Sequence, residues 1–373
     1  MRFLTTLLCL TLLSILPVQA METKAKQAYI IDFETGQVLL DKASDQKMPT
    51  SSMSKVMTAI MVFDAIKEGD ITLETAFNVS NKASNKGGSK MFIAEGTDVR
   101  VEDLLRGIII QSGNDATIAV SEGLSGSEDV FAEQMTARAK EIGMINSNFV
   151  NASGWPDEGH YSTAQDLTTM SEYLIKNYPD FYKYYAEEEF EYAGIKQSNR
   201  NPLLNNKFNS DGIKTGHTEI AGYGLIGSAT KDNRRVIMVL NGMQSKSERA
   251  AESQRLMQWA LSSFENKKIL SKGQVVAKAK VSMGKKESIT LISGEDVLAT
   301  IKKRSGDQYK VNAGFKSPLI APIKQGDVVG TILVEIADGA DIKIPLIAAE
   351  DAEESGFFKK YFTKIKYMVL GAD

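Results

Sequence analysis

Residues 52–67, SMSKVMTAIMVFDAIK, carry apolar side chains at nearly every angle of a 3.6-residue helix. A helix that is apolar all round cannot lie on a surface, so the remaining chain must assemble a core around it. Gly69 is placed to stop that helix, because glycine adopts the left-handed turn at no steric cost. Upstream, two β-type runs at 29–32 and 37–40 flank Phe33-Glu34-Thr35-Gly36 and read as a hairpin. Apolar spacings of three and four recur at 101–110, 114–123, 128–142, 163–176 and 248–264, which predicts helices there. Near residue 209 the pattern changes to short runs rich in Ile, Val, Leu and Gly, at 212–215, 222–230 and 235–241. Asp232-Asn233 between the last two is a turn signal, so these are read as adjacent antiparallel strands. A hairpin, then helices, then strands predicts an α+β domain over residues 21–266.

Helical periodicity is lost from 275 to 346. Short runs at 275–281, 287–292, 297–303, 309–311, 328–335 and 342–346 alternate with turn residues such as Ser293-Gly294 and Asp338-Gly339. This predicts a small all-β domain over 267–348. Residues 349–373 read as an acidic linker followed by an amphipathic helix. Phe357, Phe358, Tyr361, Phe362, Ile365, Met368 and Val369 recur at steps of three and four, with four lysines between them. Such a helix can lie in a membrane interface, or it can pack on its own domain. At the other end, residues 1–20 (MRFLTTLLCLTLLSILPVQA) have a basic start, about 14 apolar residues and a Val-x-Ala ending. That run falls short of the roughly 20 residues that span a bilayer and reads as a signal peptide cleaved after Ala20. Leu7-Leu8 lack the small residues expected before a lipoprotein cysteine at Cys9.

Composition narrows the chemistry. The chain of 373 residues has a net charge of −3, two histidines and one cysteine. A slightly acidic balance is a poor match for a nucleic-acid binder. A single cysteine, placed in the signal segment, excludes a disulfide framework and a Cys-rich metal site. With so few histidines and no H-E-x-x-H string, neither a metal nor a cofactor is expected.

Three strings carry the candidate chemistry. Ser52-Met53-Ser54-Lys55 is an S-x-x-K, a spacing shared by Ser44/Lys47, Ser228/Lys231 and Ser282/Lys285. Ser52 differs in opening the buried helix, where a spacing of three brings Lys55 to the serine's face and backbone N–H groups favour developing negative charge. No histidine is near in sequence, and a desolvated lysine can act as the serine's base once its pKa falls from about 10.4 towards 7. Ser112-Gly113-Asn114 sits at a break between helices, where a short corner can aim a hydroxyl and a carboxamide into one cleft. Lys214-Thr215-Gly216 opens the strand region; its cation and hydroxyl suit a substrate carboxylate, and Gly216 leaves room along a strand edge. Taken singly, each has a bland reading: an N-cap serine with a solvated lysine, a helix–helix turn, a loop lysine beside a turn glycine. Their order along one chain favours a shared site.

The set S-x-x-K, S-x-N, K-T-G is that of penicillin-binding proteins and class A β-lactamases. More closely, the chain resembles the low-molecular-mass D-alanyl-D-alanine carboxypeptidases of bacterial cell walls. The strings P-T-S-S-M-S-K, Q-S-G-N-D, D-G-I-K-T-G-H-T and A-G-Y-G-L-I-G-S-A-T carry the likeness, with the β-rich second domain and the amphipathic tail. It implies a β-lactamase/transpeptidase-like fold, an antiparallel sheet with helices, and a stem peptide ending in D-Ala-D-Ala as substrate. Ser52 would attack the penultimate D-alanine carbonyl, Lys55 would take its proton, and Ser112 and Asn114 would relay protons and orient the substrate amide. Lys214 and Thr215 would hold the terminal carboxylate, with Lys214 depressing the Lys55 pKa, and the backbone N–H groups of Ser52 and His217 would form the oxyanion hole. Arg249 is a further candidate for the carboxylate, or else a solvated arginine at a helix start. The resemblance also implies acylation by β-lactams and a peripheral place on the periplasmic face of the inner membrane, and leaves a homodimer open. Alternatives are a serine β-lactamase, a D,D-endopeptidase and a non-catalytic wall-binding scaffold. The E-x-x-L-N string of class A β-lactamases is absent; Asp157 and Glu158 are the acids in the corresponding loop. A Ser-His-Asp triad would have to use His160 or His217 and would leave the lysines unexplained.

Overall fold

The structure, a computed structural model, describes residues 21–204, 209–303, 306, 308–337 and 339–356. The expected signal segment and the amphipathic stretch from Phe357 lie outside the described residues. Strands β1 (Gln27–Asp32) and β2 (Val38–Lys42) form the expected hairpin. The longer helices are α1 (Lys55–Glu68), α2 (Val101–Arg106), α3 (Asn114–Ser125), α4 (Glu128–Glu141), α5 (Ala164–Asn177) and α6 (Lys246–Ser263). Between α5 and α6 run β3 (Ser210–Thr218), β4 (Gly222–Lys231) and β5 (Arg234–Met243). The five strands make one antiparallel sheet in the order β2-β1-β5-β4-β3, so the first hairpin closes onto the last strand and β3 is an edge.

Side chains alternate across this sheet. Met238 and Leu240 pack with Ile30, Leu225 and the Leu256/Met257/Ala260 stripe of α6, while Val239 and Ile226 face the helical layer built on α1. Within α1, residues 55–60 are all buried, as are Val62 and Phe63, in keeping with its apolar circumference. Each fully buried aliphatic or aromatic side chain there contributes about 1.5–3 kcal/mol. Gly69 caps the helix at φ 86°.

Three predicted elements differ. The 52–67 helix begins with a 3-10 turn, Ser51–Ser54, so Ser52 precedes the α-helix proper. The 101–110 helix breaks into α2 and a π-turn, Gly107–Gln111. The strand expected at 212–215 runs on to Thr218, because backbone pairing with Gly222–Tyr223 does not need apolar side chains.

A second, all-β unit follows. Its six-stranded sheet includes Val275–Ser282, Ser288–Ser293, Tyr309–Phe315, Val328–Ile336 and Ile342–Ala348 around Ile289, Leu291, Ile332, Val334 and Leu346. Phe264–Leu270, a strand that lacked a sequence signal, pairs with Val297–Lys302 and runs across the junction expected at 266. The acidic segment does not hang free up to residue 356. Ala352 is fully buried in the β core and bridges Ile323, while Glu350 and Glu353 pair with Lys286 and Lys285. Among the described residues no helix is long and apolar enough to cross a membrane.

The two units meet at a buried carboxylate. Asp32, at the end of β1, accepts from Arg234 Nε (2.5 Å), from the backbone and hydroxyl of Thr35 (3.0 Å each), and from Asn266 Nδ2 of the β unit (3.0 Å). Asn266 Oδ1 in turn accepts from Thr300, which also meets Thr35. Asp32→Asn leaves Arg234 buried without a counter-charge. It is expected to cost about 3–5 kcal/mol, read as a lower midpoint in denaturant unfolding; an unchanged midpoint would show that the junction does not depend on this pair.

Candidate active site

The 3-10 turn places Ser52 at the mouth of a cleft of about 850 Å3, also lined by Asn114, Ser153, Trp155, Arg200 and His217. One helical turn on, Lys55 is 1% exposed, and its Nζ lies 2.9 Å from Ser52 Oγ, 2.7 Å from Asn114 Oδ1 and 2.7 Å from the Ser153 carbonyl. Burial lowers its pKa to about 7, helped by the Arg200 charge and opposed by Asp115. Of the four S-x-x-K spacings, Ser52/Lys55 is the one whose amine reaches its serine among the described residues.

Ser112 owes its place to the π-turn. The extra residue leaves Ser112 in the left-handed region (φ 61°) at a corner closed by the Gly113 N–H on the Gly107 carbonyl. Its hydroxyl receives a hydrogen bond from Lys214 Nζ at 3.0 Å. Asn114 is held at its other end by the Gly87 carbonyl (2.9 Å). The next residue, Asp115, is fully buried and accepts from the backbone N–H groups of Met91, Phe92 and Ala116 at 2.8–2.9 Å. One carboxylate thereby ties the 87–93 segment to the start of α3.

Edge strand β3 forms the opposite wall. A Cβ at Gly216 would come within 2.8 Å of the Thr50 carbonyl, so a side chain would push the strand off the nucleophile turn. Lys214 and Thr215 are buried; His217 is exposed and lies over the Tyr223 ring, centroids 3.9 Å apart. Arg249 faces the same ring at 5.6 Å and is buried, not solvated. It reaches the Arg200 carbonyl at 3.4 Å, and its Nε has no partner among the described residues. None of Lys55, Arg200, Lys214 and Arg249 forms an ion pair among the described residues. Basic groups without a counter-charge around one cleft suit a substrate that brings a carboxylate.

Alongside burial, the charges of Arg200 and Lys86 lower the Lys55 pKa, and the like-charge repulsion between the two lysines falls on Lys214. Lys214 is itself held well below the ordinary lysine range by its own burial and then by Lys55, Arg200 and Arg249.

Sequence reasoning weighed only the acids Asp157 and Glu158 of the loop that covers Lys55 and missed its contact with the amine. Asn151 Oδ1 accepts from the N–H groups of Ser153, Gly154 and Trp155 at 2.9–3.1 Å, curling the loop so that the Ser153 carbonyl faces the amine. A Cβ on Gly154 (φ 77°) would sit 1.8 Å from the Ser51 carbonyl oxygen. Arg200 and Tyr223 were given no role in the site, although Tyr223 lies within the A-G-Y-G-L-I-G-S-A-T string that carries the family likeness. Asp157 and Glu158 are exposed and do not line the cleft.

The Gly154 contact yields a direct test. Gly154→Ala must lift the loop from the nucleophile turn and is expected to slow labelling of Ser52 by a fluorescent penicillin by about 10²-fold, the penalty typical of a misplacement near 1 Å. Wild-type labelling by that variant would remove the loop from the site.

Comparison with known proteins agrees with this geometry. Residues 16–245 match the family model for D-alanyl-D-alanine carboxypeptidase, and residues 264–354 match that for the penicillin-binding protein 5 C-terminal domain. The chain is similar to D-alanyl-D-alanine carboxypeptidase DacF of Bacillus subtilis (strain 168), 34% identical over 90% of this chain and 87% of that protein. It is similar in structure to penicillin binding protein 5 from Haemophilus influenzae, with a TM-score of 0.76 and 35% identity over 90% of this chain and 100% of that one. A further match is the ampicillin-bound form of penicillin-binding protein D2 from Listeria monocytogenes, with a TM-score of 0.59 and 28% identity over 64% of this chain and 97% of that one. With its fold, motifs and both domains accounted for, the chain belongs to the D-alanyl-D-alanine carboxypeptidases, serine penicillin-binding proteins that act on peptidoglycan.

Proposed function

We propose that the protein removes the terminal D-alanine from peptidoglycan stem peptides through a Ser52 acyl-enzyme. The observation that carries this reading is the buried Lys55 amine 2.9 Å from Ser52 Oγ, with a pKa lowered to about 7. Lys55 takes the Ser52 proton as Oγ attacks the carbonyl of the penultimate D-alanine. The Ser112–Lys214 pair supplies a proton to the departing D-alanine amine, and Asn114 orients the substrate amide. Lys214, Thr215 and Arg249 receive the terminal carboxylate, whose charge favours the protonated lysine that burial otherwise disfavours. The backbone N–H groups of Ser52 and His217 serve as the oxyanion hole, a contribution worth about 3 kcal/mol per donor. Water then cleaves the Ser52 ester: its proton goes to the deprotonated Ser112–Lys214 pair, and Lys55 returns its proton to Ser52 Oγ, which restores the starting state.

The same nucleophile takes β-lactams, as the ampicillin-bound Listeria relative supports. The signal segment directs export, and the lysine-bearing tail holds the enzyme on the periplasmic face of the membrane. The signal occupies 1–20 and the catalytic domain runs from 21 to about 263; the β domain runs from Phe264 through Ala352, with the tail beyond it.

Ser52→Ala is expected to abolish both the penicillin adduct and release of D-alanine from a defined pentapeptide. Persistence of the adduct in that variant would sink the mechanism. The pH response follows from the base: Lys55 must be neutral to accept a proton, so acylation should fall as pH drops through about 7 and level off above it. A flat profile from pH 5 to 9 would exclude Lys55 as the base.

A further inference from the structure

Of the two histidines, His217 is exposed, but His160 is 4% exposed and lies where no step of the reaction requires it. Its surroundings are specific. The loop 149–160 leaves and re-enters the fold at a two-way backbone bridge, Asn148 with Tyr161 (2.9 and 3.0 Å). His160 sits at the inner end of that loop, edge-on to Phe149. Its Nδ1 accepts from the Val150 N–H at 3.3 Å, which leaves the proton on Nε2. Nε2 lies 2.7 Å from Ser54 Oγ, and Ser54 Oγ lies 2.6 Å from Thr50 Oγ1. Ser54 and Thr50 bracket the 3-10 turn that carries Ser52, and both are buried, as is His160. One imidazole therefore joins the base of the loop to the nucleophile turn.

The tip of the same loop carries the Ser153 carbonyl that contacts Lys55 and the Gly154 that seals against Ser51. We propose that His160 is a positioning residue for acylation: by bonding Ser54 and Val150 together it clamps the loop over Lys55, keeping the Ser153 carbonyl on the amine and water away from it. The proposal rests on Lys55 being the base. The charged groups acting on His160 are Asp157 on its own loop and Lys55 on α1; burial dominates both and lowers the imidazole pKa to about 4, so the ring stays neutral through the working range. The clamp thus needs a neutral donor of the right reach, not a charge, and a glutamine amide can provide one.

The test measures the rate constant for acylation by a fluorescent penicillin as a function of pH, with thermal unfolding in parallel. His160→Leu keeps the volume and removes the hydrogen bonds. Water then reaches Lys55 and its pKa rises, so the ascending limb should move up by about one unit and the rate at pH 6 fall by about tenfold. His160→Gln should return both towards wild type. If His160→Leu does not fold, Ser54→Ala removes the acceptor alone and should produce the same displacement. A folded His160→Leu, or a Ser54→Ala, with the limb at its wild-type position overturns the proposal, as does a His160→Gln that behaves like the leucine variant. A wild-type profile with no limb near pH 7 instead overturns the assignment of Lys55, so the two failures are distinct.

Discussion

Burying the Lys55 ammonium is the constraint on which the rest of the site depends. An amine excluded from water loses several kcal/mol of hydration as a cation, and it can stay only if its hydrogens are taken or its proton leaves. The structure does both. Ser52 Oγ, Asn114 Oδ1 and the Ser153 carbonyl occupy the three directions available to Nζ, and the shift to about 7 puts the neutral form within reach. These acceptors come from the nucleophile turn, the corner before α3 and the loop at 153. The fold can therefore be understood as the framework needed to bring three distant acceptors to one nitrogen. The apolar circumference of α1 and the five-stranded sheet behind it supply the dry surroundings.

Much of this was legible in the chain, and the reason is periodicity. The helix from Lys55 to Glu68, the hairpin at Gln27–Lys42 and the paired strands β4 and β5 have side chains whose alternation or 3.6-residue spacing reflects burial, so pattern and structure share a cause. The strings at Ser52, Ser112 and Lys214 were legible because each brackets a change of element. The π-turn was not: Gly-Ile-Ile-Ile-Gln continues an apolar helix, and the added residue follows from the Gly113–Gly107 closure and the packing around it. The strand Phe264–Leu270 escaped notice because Glu265, Asn266, Lys267 and Lys268 interrupt its apolar positions; it is held by its partner and by the Asp32–Asn266 contact. Arg200 and the 151–155 loop act through tertiary placement, which no local pattern records.

The second unit is joined to the first more closely than two runs of differing periodicity suggest. Asp32 belongs to the catalytic sheet, yet one of its oxygens takes a hydrogen from Asn266, and the Thr35–Thr300 contact lies beside it. Docking of Ala352 into the β core carries the chain back across that unit after its last strand. The acidic run is thus part of a folded surface, where its lysine partners fix it.

The Asp115 carboxylate gathers the N–H groups of Met91, Phe92 and Ala116. It also pulls the Lys55 pKa upward while Arg200 pushes it down. Neither residue touches the amine in the hydrogen-bond network, and each is held by backbone or hydroxyl partners of its own. The acidity of the base, lowered first by burial, is therefore adjusted by fixed charges on separate segments of the chain. Relatives working at different external pH could retune the reaction at position 115 while leaving every group that meets the substrate unchanged.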